Sequence, residues 1–146
     1  MHILKNRILT IQSLFIILVA LGALVVFLMF SDNMDFLAGT NIFALWGMFT
    51  LAGVGLVVMV MRAKLTGKVK LFLLACGCAA AGFLLGVVLH NMFYALGTMT
   101  TSAFLGSLLG FLEGAFFILA VIVCPLALLV GIVGTLVLWR QIPAAK

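Results

Sequence analysis

Four long apolar tracts constrain this chain more than any other feature. They cover residues 8–30, 41–61, 71–96 and 111–139. A helix needs ~20 apolar residues to cross ~30 Å of hydrocarbon, and each tract meets that length. None alternates apolar and polar residues with period two, which argues against a lipid-facing β-barrel. Backbone in lipid must satisfy its polar groups within the segment, and that leaves helices. Composition agrees: hydrophobic residues make up 67% of the chain and charged residues 8%. A soluble domain carries about a quarter charged residues. A water-soluble fold of 146 residues could not hide so much apolar surface. The expected fold is all-α, a four-transmembrane-helix bundle, with residues 1–146 forming one integral membrane domain. The expected spans are residues 8–30, 41–61, 71–96 and 114–139. The first tract exceeds the 7–15 residues typical of a signal-peptide core and lacks a cleavage site at its polar end, so it reads as a retained span.

The net charge of +5 has a positional explanation. Lys5 and Arg7 precede the first tract. Arg62, Lys64, Lys68 and Lys70 lie between the second and third. Arg140 and Lys146 follow the fourth. All eight basic residues thus fall on one side of a four-span topology. The positive-inside rule then places both termini and the basic loop in the cytoplasm of a plasma or inner membrane. Arg62, Lys64, Lys68 and Lys70 are the expected contacts with lipid headgroups, at about 1 kcal/mol each near an anionic surface. A nucleic-acid partner is excluded, because the basic residues form no interleaved aromatic-basic face.

The stretch from Ala103 to Trp139 is too long for one crossing. As a single helix it would measure ~55 Å, against a ~30 Å core and a usual tilt of ~20°. The sequence offers two places to break it: Gly110 with Gly114, which bracket Glu113, and Pro125. An outer, interface-lying helical segment over residues 101–112 is expected, followed by a span kinked at Pro125. A re-entrant hairpin is the alternative.

Small residues recur at four-residue spacing. Gly82 and Gly86 form one such pair, Gly106, Gly110 and Gly114 a second series, and Ala127 and Gly131 a third. This spacing lets helix backbones approach closely, and van der Waals packing at such faces drives helix association in lipid. The partner face can belong to the same chain, a second copy or another protein.

Polar residues are few. His90, Asn91 and Tyr94 lie about ~30 Å along the third helix from its basic end, at the outer edge of the hydrocarbon. One reading is interfacial anchoring, since His and Tyr combine apolar bodies with polar tips. The sharper reading pairs His90 with Glu113, the one acidic residue outside the first loop. An ionisable group near the membrane is a functional-site hypothesis by default, and such a pair would make a proton-linked switch. Glu113 as a carboxylate favouring a helix N-terminus is the plain alternative. Asp32 and Asp35 read as a solvated turn, because a hard cation needs more oxygen ligands than they offer. Trp46 and Trp139 fit interfacial anchors. Cys76, Cys78 and Cys124 read as small packing residues.

No metal or cofactor is expected. The chain has no phosphate-binding Gly-rich loop, no His-Glu-x-x-His and no assembled triad. A haem ligand at depth is also missing. Small multidrug exporters carry an acidic residue inside the first span, and residues 8–30 have none. Quinone-linked disulfide-forming enzymes carry Cys-x-x-Cys, where this chain has Cys76-Gly77-Cys78. The leading expectation is a non-enzymatic structural or accessory subunit of a membrane complex or homo-oligomer. Its partners would be membrane lipids and other membrane subunits or itself. The alternative is a small proton-linked transporter or channel with an outer vestibule of His90, Asn91, Tyr94 and Glu113. An intramembrane enzyme comes third.

Overall fold

In a computed structural model, the chain is described over residues 2–30 and 40–141. Asp32, Asp35 and Lys146 lie outside the described residues. The protein is all-α and polytopic, with four helical runs long and apolar enough to cross a membrane. Helix α1 is His2–Phe30, α2 is Thr40–Arg62 and α3 is Gly67–Met99. The fourth run, Ala103–Val137, is one uninterrupted helical stretch. It comprises α4 (Ala103–Ile118), a π-helical turn (Leu119–Val123) and α5 (Cys124–Val137). A 3-10 turn, Trp139–Gln141, follows.

Helix α3 is the spine of the bundle. It packs on α2 along one side and on α4 and α5 along the other, while α1 packs on α2. Residues three and four apart share a helix face, and α1 buries Ile8, Ile11, Phe15 and Leu18 at that spacing. They pack in one cluster with Leu56, Val60, Leu73, Cys76 and Ala80. Two glycines bring α2 and α3 together. A methyl group on Gly53 would stand 2.7 Å from the Ala80 Cβ and 2.8 Å from the Gly77 carbonyl oxygen. The contact between α3 and α5 is equally close, since a methyl on Gly131 would lie 2.7 Å from the Cys76 Sγ and 2.9 Å from the Phe72 carbonyl oxygen.

The basic end is tied together by Arg7, whose Nη1 donates to the main-chain carbonyl of Arg62 at 2.8 Å. A cation on the last carbonyl of α2 suits the negative end of that helix. The chain then turns through Lys64, at a positive φ of 52°, and enters α3.

The fourth run departs from the expectation of an interface-lying piece with a separate span from residue 114. The helix continues through Gly110 and Gly114 without a break. Residues of α4 pack antiparallel on the outer end of α3: Phe116 stacks on Phe93 with centroids 5.5 Å apart, and Leu109 faces Gly97. The one irregularity is the π turn just before Pro125, where the Cys124 N–H reaches the Leu119 carbonyl five residues back. Proline has no N–H and its ring collides with the carbonyl four residues earlier. Widening one turn relieves that collision without ending the helix. At 1.5 Å per residue, α3 with its 33 residues is about 50 Å long and the fourth run slightly longer. Both exceed the ~30 Å of hydrocarbon, and a short connection at residues 100–102 joins their ends remote from the basic turn. The excess length is therefore a shared helical hairpin.

Both tryptophans are half-buried between helices as well as lying near helix ends. Trp46 meets Phe83 edge-on at 5.6 Å, and Trp139 lies 5.7 Å from Phe15. Thr135 is fully buried, and its hydroxyl has no hydrogen-bond partner. It faces the Cys76 thiol, a weak donor and weak acceptor. Replacing a buried, unsatisfied hydroxyl by a methyl of the same shape removes a desolvation cost. Thr135→Val is therefore expected to raise stability by about 1 kcal/mol, read as a higher thermal midpoint in detergent. A lower midpoint would mean the hydroxyl makes a bond that matters.

Candidate functional site

The outer polar residues are set by the hairpin of α3 and α4. His90 is half-buried on the side of α3 that faces α4. Its Nδ1 lies 3.2 Å from the main-chain carbonyl oxygen of Glu113, and its ring rests against Phe117 at 5.3 Å. With a carbonyl as acceptor, Nδ1 must carry the proton and donate. His90 and Glu113 are thus brought together, but through the backbone of Glu113. This is a side-chain-to-backbone clip between two helices, a different arrangement from an imidazole–carboxylate pair.

The other two members do not converge on it. Asn91 is exposed and its Nδ2 donates to the Val87 carbonyl one turn back at 2.8 Å. It satisfies its own helix, as polar side chains in apolar surroundings commonly do. Tyr94 is 57% exposed and faces outward. The hydrogen bond of His90 spans two helices, so it carries packing information. Interhelical hydrogen bonds in membranes average about 0.6 kcal/mol. His90→Phe, which keeps the ring contact with Phe117, should therefore lower stability by about that amount. A loss several times larger would point to a role beyond the clip.

The glycines divide into two groups. A methyl on Gly82 would lie 3.2 Å from the Cys124 Sγ, and one on Gly86 3.0 Å from the Ala120 Cβ, so both sit in the seam between α3 and the π turn. Gly131 sits in the seam between α3 and α5. In contrast, Gly110 and Gly114 meet nothing within 4 Å, and Gly106 has only ordinary contact with Thr100. The glycines at the closest crossing of α2 and α3, Gly53 and Gly77, lie outside the expected series. Gly77 with Ala81 does have small residues four apart, which is the signal that marks it.

The basic residues gather at the opposite end from His90. Arg62, Lys64, Lys68 and Lys70 follow one another through the turn between α2 and α3, and Lys68 and Lys70 lie beside Met61, Leu65 and Leu71 in a broad open depression. The three cysteines are free thiols, Cys76 and Cys124 buried and Cys78 exposed. Among the described residues, no three of His, Cys, Asp and Glu converge. All four runs meet near Pro125, where a partly open pocket of about 200 Å³ is lined by Gly22, Trp46, Phe49, Phe83, Cys124 and neighbouring aliphatic residues. No protein-family model, curated protein or solved structure matches the chain.

Proposed function

We propose that this chain is a non-enzymatic structural or accessory subunit, working within a membrane complex or a homo-oligomer. The observation that carries the proposal is the state of α4. None of its residues is fully buried, and Phe104 and Phe111 are 77% and 72% exposed. Gly110 and Gly114 are open on the same helix. A small-residue series at four-residue spacing is a surface on which another helix backbone can rest. It is here offered outward, beside large apolar side chains.

The interior supports packing over conduction. Between His90 and the basic end, the buried positions among the described residues are Leu, Ile, Val, Ala, Gly, Cys and Phe, with Thr50 and Thr135 supplying hydroxyls. A polar path would need more than these. The outer residues also favour a mechanical role, since His90 holds α4 to α3 and Asn91 closes on its own helix. With both termini and the turn between α2 and α3 in the cytoplasm, as the positive-inside rule directs, Arg62, Lys64, Lys68 and Lys70 meet the anionic leaflet there. The hairpin then reaches beyond the hydrocarbon on the outer side.

Co-purification after mild solubilisation tests this reading. A stoichiometric second protein, or a stable multiple of the chain, is expected. Solute or proton flux by the purified chain in liposomes, abolished by His90→Ala, would favour a transporter instead. Turnover of a substrate that depends on His90 or Glu113 would favour an enzyme.

A further inference from the structure

Helix α1 has two unlike flanks. One packs along α2. On the other, a groove of about 650 Å³ separates α1 from the end of α5. Ala20 and Ala23 line it on α1, and Leu136 and Val137 line it on α5. Phe15 and Trp139 meet at one end, and Arg140 stands at that mouth. Ala20, Ala23, Leu136 and Val137 are all exposed, so the groove opens sideways into the surrounding membrane.

Length, lining and charge together select an occupant. From Phe15 to Ala23 the groove runs about 12 Å at 1.5 Å per residue. That is less than half of the ~30 Å core. An acyl chain needs no more than that length, and the cationic mouth favours a lipid over a partner helix. Apart from Arg140 at the mouth, the lining is aliphatic and aromatic. At the mouth, the guanidinium of Arg140 is permanently charged and presents a fork of donors that matches phosphate geometry. Arg7, Arg62 and Lys68 lie toward the same end of the bundle, which disfavours a cationic headgroup there. Trp139 sits where an indole ring commonly marks the headgroup boundary.

We propose that this groove is a binding site for one anionic phospholipid from the leaflet on the basic side. An acyl chain lies along Ala20 and Ala23, and the headgroup phosphate rests on Arg140. The site is independent of whether the chain assembles with a partner, because it lies on α1 and α5, away from α4.

The test uses the full chain, loaded with an equal mixture of phosphatidylglycerol and phosphatidylcholine and examined by native mass spectrometry. Wild type should retain phosphatidylglycerol in preference. Arg140→Gln changes an exposed residue and should cut that preference about fivefold, the equivalent of ~1 kcal/mol for one basic residue at an anionic surface. Ala23→Phe fills the groove from an exposed position and should reduce retention of both lipids. Lys68→Gln, at a general headgroup contact outside the groove, should lower the preference less than Arg140→Gln does. The proposal is overturned if both Arg140→Gln and Ala23→Phe retain lipid as wild type does. It is equally overturned if Lys68→Gln lowers the preference as much as Arg140→Gln does, or if a crosslinker placed at Ala20 captures a polypeptide rather than lipid.

Discussion

A single methyl group on Gly53 will separate α2 from α3. The added Cβ would stand 2.7 Å from the Ala80 Cβ and 2.8 Å from the Gly77 carbonyl oxygen. Neither neighbour is the end of a flexible side chain, so the helices must move apart along their seam. Overpacking of a well-filled contact costs about 1–3 kcal/mol. The consequence is larger in a membrane than the number suggests, since lipid supplies no hydrophobic drive to hold separated helices together. Gly131→Ala should act alike on the seam between α3 and α5, where Cys76 and the Phe72 carbonyl block the methyl. Gly47→Ala is the matched control, because a methyl there meets nothing within 4 Å. Thermal unfolding in one detergent should rank Gly53→Ala and Gly131→Ala well below Gly47→Ala. Equal midpoints for all three would mean that the close crossings do not hold the bundle.

The second large effect concerns assembly and leaves the fold alone. Gly110→Leu combined with Gly114→Leu adds two bulky side chains to open positions on α4. Within the chain nothing obstructs them, and leucine is a better helix former than glycine. The double variant should therefore match wild type in helix content and in thermal midpoint. If a partner helix rests on this face, association should weaken at least tenfold, about 1.4 kcal/mol. Co-purified partner, or the oligomeric fraction, measures that loss. An unchanged yield of the complex would remove α4 from the interface.

Much of the fold was legible in the sequence, for a physical reason. Lipid forbids an unsatisfied backbone, so a long apolar tract has little choice but to be a helix. Residues 8–30, 41–61 and 71–96 accordingly fall inside α1, α2 and α3. The fourth tract was harder. Glycine pairs such as Gly110 and Gly114 break helices when nothing supports them, but here α3 runs alongside and the helix persists. The disturbance falls at the π turn, where Pro125 forces it. Helix faces were the least legible feature. In a soluble helix, polar residues mark the outside. In lipid both faces are apolar, so the four-residue spacing of Gly77 and Ala81 did not by itself single out the crossing of Gly53 and Gly77 as the tightest contact. The same ambiguity left the partner of Gly106, Gly110 and Gly114 open, and in the fold Gly110 and Gly114 face outward. At the candidate site, chemistry named His90 and Glu113 as partners. It could not foresee that the imidazole would choose a main-chain carbonyl, because that depends on the rotation of α4 about its axis.

Photo-crosslinking from position 110 in native membranes asks most directly what covers α4. A photoreactive residue at that position, with one at Phe117 for comparison, labels whatever lies within reach before any detergent is added. The assembly reading predicts a discrete protein adduct from position 110, either a second copy of the chain or one defined membrane protein. Adducts to lipid alone, at position 110 as at 117, would contradict it.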